Sequence, residues 1–377
     1  MVDVEKMLED DNNPDSRRMD EERWRVQSIY RVPEWLKGTN PKAYQPRLVS
    51  LGPLHHCDSN LLPMEGHKRR ALVHLIKRSN KQLEDFISAI HDVVEDLEAA
   101  YGKDLPVKLR NNRQTFVEVM LTDGCFLCMH DHVFSMHGPI ILSDMLPLLV
   151  LKKILGVLHP DYPEDEMDLY INLMVLEYLE RAPEGRNFAK ISLGRHPLEL
   201  YHGSLTYNNG AHRKRERGNL QDIRFEHGVL SMPVIEVVDN TESLYLNLMA
   251  FERLHFGVGD LVTAYVIFID NIIVSAKDVA MLSSNEVLKN MLGCDKEAAK
   301  LFNGTLSRGQ LLGPCPGLHN VQYEVNAYCK ESWHKWRATL IRTYFRNPWA
   351  FISLVAATIL LIATLLQTTY TVMPNKL

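Results

Sequence analysis

The chain has 377 residues, of which 46% are hydrophobic and 24% are charged. This composition is typical of a globular protein, and it excludes a wholly disordered chain, a collagen and a multi-span membrane protein. The formal net charge of -5 argues against general nucleic-acid binding, because phosphate contacts need a dense basic surface. Six cysteines are too few for a disulfide scaffold.

Residues 1–22 carry nine acidic and three basic side chains and no long apolar run. Such a segment buries too little apolar surface to offset the entropy lost on ordering, so we expect a disordered acidic amino terminus. It also lacks the basic start, apolar stretch and small-residue cleavage site of a secretory signal. We therefore expect no amino-terminal export.

Residues 23–319 form the predicted globular domain. Their apolar residues recur mainly at intervals of three and four, which is the spacing of amphipathic helices. We expect a mainly α fold: a helical globular domain with few short strands, followed by one C-terminal transmembrane helix. The pattern predicts helices over residues 68–100 (one helix, or two in line), 113–130, 145–155, 168–180, 243–256, 261–274, 285–292 and 295–302. Asp239 and Glu242 are expected to cap the fifth of these helices reciprocally.

Two stretches depart from helical spacing. Residues 181–227 are rich in glycine and proline and contain the basic run "HRKRERG" at 212–218, so they predict an exposed loop or inserted linker. The basic run resembles a nuclear-import or phosphate-binding patch in composition, although a solvated loop is its ordinary interpretation. Residues 229–239 are β-branched and form the best strand candidate.

Residues 347–371 are the most apolar stretch of the chain. No charged residue occurs between Arg346 and Lys376, and the 22 residues from 349 to 370 would reach roughly 33 Å as a helix, against a hydrocarbon core of about 30 Å. The pattern predicts a transmembrane helix, with a buried core helix as the alternative. The predicted anchor residues are Trp349, Leu354, Val355, Ile359, Leu360, Leu361, Ile362, Leu365 and Tyr370.

The charges flanking this stretch predict its orientation. Residues 320–346 are predicted to form a basic, aromatic juxtamembrane helix with five cations from Lys330 onward, whereas only Lys376 follows the span, in a short tail at 372–377. Positive flanks tend to stay on the cytoplasmic side. We expect a tail-anchored protein whose large domain lies in the cytosol, with the plasma membrane favoured as its location.

The segment "LHHCDSNLLPMEGH" contains the candidate residues for a proton-transfer or metal site: His55, His56, Glu65 and His67. Imidazole and carboxylate groups titrate in the range that proton transfer needs. Because these residues match no standard metalloenzyme spacing, a structural role is preferred, in which Gly52 and Pro53 make a turn and the paired imidazoles cap or hydrogen-bond nearby backbone. They remain weak functional candidates.

The spacing of Cys125, Cys128, His130 and His132 suggests zinc binding, but a structural zinc site needs four converging ligands. The two cysteines lie among apolar residues of a predicted helix, which favours simple burial. The chain also contains no nucleophile elbow, phosphate-binding glycine loop, dinucleotide fingerprint, kinase signature or two-histidine zinc-protease helix. We expect no cofactor and no metal site, and a known type of enzyme is disfavoured.

The segment "IYRVPEWLKGTNPKAYQPRLVSLGPLHH" at 29–56 resembles the opening motif of the plant domain-of-unknown-function 247 family. Agreement continues through "MEGHKRR" at 64–70, "DGCFLC" at 123–128, residues 228–253, residues 262–273 and the Asn-Pro-Trp entry to the span, and it covers 28–372. The resemblance implies a helical domain on a carboxyl-terminal membrane anchor. It transfers no catalytic residue.

The chain departs from the family pattern at two places. Residues 143–149 read "SDMLPLL" where Glu-Asn-Gln-Ile/Leu-Pro-Phe-Phe is usual, and Arg253 stands where glutamine is common. The resemblance therefore transfers to this chain no role that depends on those polar positions. Some grass members of the family are associated with pollen–stigma self-incompatibility, which implies a recognition role for that subset.

Three hypotheses for function follow. The leading one is a single-pass membrane-anchored plant protein that acts in protein–protein recognition or signalling, self-incompatibility-type cell recognition included. Its partners would be membrane lipid and a protein, and not nucleic acid. The alternative is a membrane-associated hydrolase or transferase with a site near the amino-terminal histidines. A nuclear or scaffold protein would require an import signal at 213–217.

Overall fold

The computed structural model describes residues 26–38, 40–129, 141–179, 192–206, 220–306, 316–340 and 348–372. The predicted acidic amino terminus at 1–22, the basic run at 212–218, and His130 and His132 lie outside these ranges. The described residues fall into two compact units. The first lies within Met1–Ile223 and Met232–Leu318, and the second within Arg224–Ser231 and His319–Leu377.

The mainly α fold class is confirmed. In the first part of the chain the helices are α1 (Glu34–Lys37), a 3-10 helix (Pro41–Tyr44), α2 (Leu62–Ser79), α3 (Leu83–His91), α4 (Val94–Tyr101), a 3-10 turn (Gly102–Asp104), α5 (Val107–Arg110), α6 (Arg113–Met129), α7 (Leu148–Leu158), α8 (Glu164–Tyr178) and α9 (Pro197–Thr206). The predicted helix at 68–100 is therefore three helices. Asn80 ends α2 in the left-handed conformation, and Gln82 and Asp85 form a capping box that starts α3.

Helix α6 lies at the centre of the first unit and packs against α2, α3 and α7. Nearly every residue from Phe116 to Leu127 is buried, so this helix is enclosed on most of its surface. Gly124 lets α7 approach closely, because a Cβ atom at this position would lie 2.5 Å from Ile154 and 2.7 Å from Val150. This close contact belongs to the core of the first unit.

In the described part of the chain, four short strands form two small sheets. Strands β1 (Arg224–Glu226) and β2 (Val229–Ser231) pair antiparallel, and β3 (Ile235–Val237) pairs in parallel with β4 (Leu288–Asn290). The sequence predicts a single strand over 229–239, but Pro233 separates β2 from β3 because it has no N–H to donate to a ladder.

The second part of the first unit holds α10 (Thr241–Leu254), α11 (Leu261–Ile272), α12 (Ala276–Ser284), α13 (Asp295–Lys300) and a π-helix (Leu301–Leu306). The predicted helix at 285–292 is wrong. Helix α12 ends at Ser284, Glu286 takes a positive φ of 58°, and the following residues form β4 because β3 offers them a pairing partner. This partner is remote in sequence, so local periodicity does not reveal it.

The predicted cap of α10 also differs from the structure. No side chain caps this helix at Asn240; instead, Thr241 Oγ1 accepts a hydrogen bond of 2.8 Å from the backbone N–H of Val238. Glu242 accepts one of 2.5 Å from the amide of Asn40. The sequence predicts that the Glu242 carboxylate caps its own helix, but in the structure it bonds Asn40, which is distant in sequence.

Part of the predicted exposed loop at 181–227 is core. Helix α9 buries Leu198, Leu200, His202 and Leu205, and Leu220 and Ile223 farther along are buried too. The apolar residues of α9 have helical spacing, but its short length among glycines and prolines hides the pattern. Residues 180–191 and 207–219 lie outside the described part.

The second unit contains the β1–β2 hairpin and the helices α14 (Pro316–Lys330), α15 (Ser332–Leu340) and α16 (Pro348–Val372). The ring of Phe225 contacts that of Tyr328 edge to face at 5.3 Å. Within α16, Trp349–Thr371 is long and apolar enough to cross a membrane, and none of its most apolar window is buried. The alternative of a buried core helix is therefore wrong for the structure described.

Candidate functional site

The candidate site is formed by residues 50–58, which we call the histidine loop, and by the buried polar side chains beneath it. Gly52 has a φ of +78°, and a Cβ atom here would lie 2.7 Å from both the carbonyl of Met145 and the hydroxyl of Tyr101. Tyr101 in turn donates a hydrogen bond of 2.8 Å to that carbonyl. Only glycine fits this conformation and this close approach without strain.

Lys68 is the central charge beneath the loop, and its side chain is fully buried. Its ammonium donates to the carbonyl of Ser50 at 2.9 Å and to Asp123 at 2.6 Å, and it pairs with Glu65 at 2.6 Å. Burial lowers the pKa of Lys68, but the two carboxylates more than offset this and raise it overall. The lysine is therefore a fully satisfied buried cation.

Two buried aspartates hold the backbone of the histidine loop. Asp123 accepts a hydrogen bond of 2.7 Å from the N–H of Gly52, and Asp144 accepts one of 2.7 Å from the N–H of Leu51. Burial raises the pKa of Asp123 to about 6, although Lys68 opposes the rise, and burial raises the pKa of Asp144 well above its usual range. The aspartates fix the loop's position on α6 and on the turn at 141–144.

The four sequence candidates have different environments. Glu65 belongs to the lysine cluster and acts electrostatically on His56, whose Nδ1 atom is buried without a hydrogen-bond partner among the described residues. His55 bonds Asp58 and Ser143. His67 is exposed on α2 and belongs to neither group. Burial lowers the pKa values of His55 and His56, which favours neutral imidazoles.

Sequence reasoning missed Lys68, Asp123, Asp144, Ser143 and Asp58. A signal existed for Lys68, because it shares the buried face of α2 with Ala71 and Leu75 at positions i, i+3 and i+7. A lysine on an apolar face needs a buried acidic partner. Asp123, which lies among the buried residues of α6, was the available partner.

Cys125 and Cys128 lie in α6, and burial raises the pKa of both thiols far above the usual range. They are therefore protonated at neutral pH, and neither thiol is a ready metal ligand or nucleophile. Among the residues that the structure describes, no three histidine, cysteine or acidic side chains gather closely enough to hold a metal ion.

A second buried polar network joins α9, α10 and α11. Glu252 accepts hydrogen bonds from the N–H groups of Val262 and Thr263 at 2.7 and 2.9 Å, so it caps α11 from a neighbouring helix. The same carboxylate bonds His202 at 2.9 Å. Phe251, fully buried, contacts the rings of His196, His202 and His255. The carboxylate of Glu252 thus joins His202 to the start of α11, and the ring contacts of Phe251 add to the packing of these helices.

The nine predicted anchor residues all lie on α16, and all except the partly exposed Leu354 are exposed. Threonine hydroxyl groups of this helix bond to its own backbone. Thr358, Thr364, Thr368 and Thr371 each donate to the carbonyl four residues earlier, at 2.7 to 2.8 Å. Such internal bonds are what a helix in hydrocarbon requires of its polar side chains.

These features define a class: a mainly helical protein with a buried lysine–carboxylate cluster and, in its described part, one helix long and apolar enough to cross a membrane. The particular family follows from comparison, since the chain belongs to the family described as plant protein of unknown function, DUF247, whose model matches residues 29–219 and 208–363. The resemblance inferred from the sequence motifs is confirmed.

Two relatives from Arabidopsis thaliana illustrate the extent of the similarity. UPF0481 protein At3g47200 is 23% identical over 416 residues, which cover 92% of this chain and 86% of the relative. UPF0481 protein At3g02645 is 30% identical over 171 residues, 45% of this chain and 31% of the relative. No solved structure matches the chain.

Proposed function

We propose that this chain is a single-pass membrane-anchored protein whose helical unit acts in protein–protein recognition or signalling. The observation that carries the proposal is α16, an apolar helix of membrane-spanning length whose most apolar window is not buried by the described protein. An exposed apolar surface of this size is unfavourable in water, and the hydrocarbon core of a bilayer can surround a helix of this length completely. The large unit is then held beside a membrane, where it meets other membrane proteins at high local concentration.

Helix α15 supports the membrane attachment. Trp333 and Trp336 lie one turn apart on it and are exposed by 71% and 76%, with Arg337 beside them. Eight residue steps separate Leu340 from Pro348, so α15 lies within about 28 Å of the start of α16. Amphipathic aromatic and cationic side chains favour the headgroup region of a bilayer.

Two exposed aromatic residues on the first unit support recognition. Trp35 on the short helix α1 is 68% exposed, and Phe256 in the turn after α10 is 84% exposed. The turn is shaped by Gly257 and Gly259, both at positive φ, so Phe256 stands on a tight bend. Exposed large aromatics of this kind are typical of the residues that dominate binding energy at interfaces.

The recognition proposal is tested by photo-crosslinking in the full-length, membrane-bound protein. A photoreactive phenylalanine analogue replaces Trp35, Phe256 or Val107 in turn; Val107 is 67% exposed on the same unit and serves as the matched control. We expect a discrete protein adduct from position 35 or 256 and none from position 107. Adducts of equal yield at all three positions, or at none, would contradict a recognition surface at these residues.

A purified partner then gives a quantitative check. Phe256→Ala is expected to weaken its binding at least tenfold, a loss of about 1.4 kcal/mol, while Val107→Ala leaves it unchanged. Self-incompatibility-type cell recognition is one form of this proposal, and it requires the large unit outside the cell. The charges that flank α16 predict that unit to lie in the cytosol, so protease protection in sealed vesicles tests which of the two forms is possible.

A further inference from the structure

His55 is held between a carboxylate and a hydroxyl group. Its Nδ1 atom lies 2.9 Å from Asp58 Oδ2, and its Nε2 atom lies 2.9 Å from Ser143 Oγ. The residues come from the histidine loop and from the turn at 141–144, which are far apart in sequence. No local sequence motif therefore predicts this arrangement.

The hydrogen bonds determine which atoms donate. An ionised Asp58 can only accept, so Nδ1 of His55 carries the proton and donates it. Nε2 is then an acceptor, and the hydroxyl of Ser143 donates to it. This hydroxyl also lies 3.4 Å from the carbonyl of Tyr44, but the imidazole is the closer acceptor. The order hydroxyl, imidazole, carboxylate is that of a nucleophile, its general base and the group that orients the base.

The neighbouring backbone holds this arrangement rigidly. The N–H of Leu142 donates to Asn247 at 2.9 Å, and Asp144 accepts from the N–H of Leu51 at 2.7 Å, so the residues on both sides of Ser143 are tied to other elements. Asn247 is itself fixed by a 2.9 Å bond to the carbonyl of Ala43. A reacting hydroxyl needs this kind of preorganised support.

The charges around His55 suit the same chemistry. Burial lowers the pKa of this imidazole, and the cations Arg31 and Lys37 act on it in the same direction, against Asp58. A neutral imidazole is the form that accepts a proton.

We propose that Ser143, with His55 as its general base and Asp58 as a positioning residue, forms an acyl-transfer site for esters of small acyl groups. Ser143 Oγ attacks the ester carbonyl while its proton passes to His55 Nε2, and the departing alkoxide takes that proton as the C–O bond breaks. Water, activated by His55, then cleaves the acyl-serine and releases the carboxylic acid. Ser143 is only 5% exposed, so a small acyl group such as acetyl fits better than a fatty chain.

The full-length protein, purified in detergent, is treated with a fluorophosphonate probe, whose fluoride the serine oxygen displaces. We expect mass spectrometry to find the adduct on Ser143 in the wild type, and no adduct in Ser143→Ala. Ser284→Ala, an exposed serine on α12 with no imidazole contact, is the matched control and should label like the wild type. Melting curves of each variant confirm that it folds.

Turnover gives the second readout. We expect hydrolysis of p-nitrophenyl acetate with an initial burst, little hydrolysis of the palmitate ester, and a rate roughly 100-fold or more lower in His55→Gln. Asp58 raises the pKa of His55, so Asp58→Asn should shift the acidic limb of the pH–rate profile to lower pH, which a purely structural role would not do. Folded wild-type protein that shows neither labelling nor burst, or that labels equally with and without Ser143, would overturn the proposal.

Discussion

Lys68 and Asp123 show how single residues control the packing of this fold. Neither side chain is more than 1% exposed, and their charged atoms lie 2.6 Å apart. Taking two ions out of water costs several kcal/mol each, and the remaining hydrogen bonds to Ser50, Gly52 and Glu65 offset this cost. The pair therefore fixes the position of the histidine loop more than it adds net stability.

At this scale we expect Asp123→Asn to lower the free energy of unfolding by about 3 kcal/mol, because it removes the main counter-charge of a buried ammonium. Urea unfolding of the purified protein measures the change. Glu118→Gln, on the same helix but exposed, is the control and should alter stability by less than about 0.5 kcal/mol. Equal effects of the two substitutions would show that the buried charges are not coupled as described.

Helices α2, α6 and α7 show what decides packing at the scale of elements. Helix α6 is enclosed by its neighbours, and the separation between α6 and α7 depends on the absence of a side chain at Gly124. Glycine is normally a poor helix former, so its presence inside α6 has a packing reason. Gly66 in α2 is different. No atom lies within 4 Å of the position that a Cβ atom would take there, so packing does not require a glycine.

The two glycines give opposite predictions for the same substitution. Gly124→Ala should destabilise the protein by about 1–3 kcal/mol, because the new methyl group would overlap Ile154 and Val150. Gly66→Ala should stabilise it by roughly 0.5–1 kcal/mol through helix propensity alone. Thermal and urea unfolding of both variants measure the changes. A stabilising Gly124→Ala would mean that α6 and α7 are farther apart than described.

For the whole molecule, the decisive question is what surrounds α16. Its side chains are exposed along the helix, among them Leu360 and Leu361 at 67% and 63%. Each central arginine costs about 2.5 to 3.5 kcal/mol on insertion scales. The double substitution of Leu360 and Leu361 by Arg should therefore abolish stable insertion, and alkaline carbonate extraction should release the variant protein.

The matched control for this experiment replaces the same two leucines by Ala, which keeps the helix uncharged. We expect this variant to stay in the membrane pellet with the wild type. Retention of the arginine variant would argue that α16 is not the membrane attachment. Release of the wild-type protein would argue against the membrane-anchored function as a whole.

Local sequence patterns predict those elements whose limits depend on nearby residues. The apolar stretch after Arg346 predicts α16 closely, and helical spacing predicts α6 and α11 to within a few residues. The same reasoning fails at 285–292, because β4 forms only when β3 pairs with it. It also misses α9, whose apolar side is too short to stand out among glycines and prolines.

The candidate site was predictable only in part. The motif at 55–67 draws attention to the correct loop, yet it cannot show that His55 reaches Ser143, 88 residues away in sequence, or that Lys68 meets Asp123. Such pairs form where the backbone brings remote segments together. Rules of periodicity and residue spacing do not predict which remote segments come together.

The sequence by itself determined the helical class, the family and the position of the long apolar helix, because periodicity, motif and apolar length are properties of neighbouring residues. Only the tertiary structure decided which polar groups are buried together, which helix Glu252 caps, and which hydroxyl faces His55. Burial and hydrogen bonding depend on contacts between distant segments, and those contacts exist only once the chain has folded.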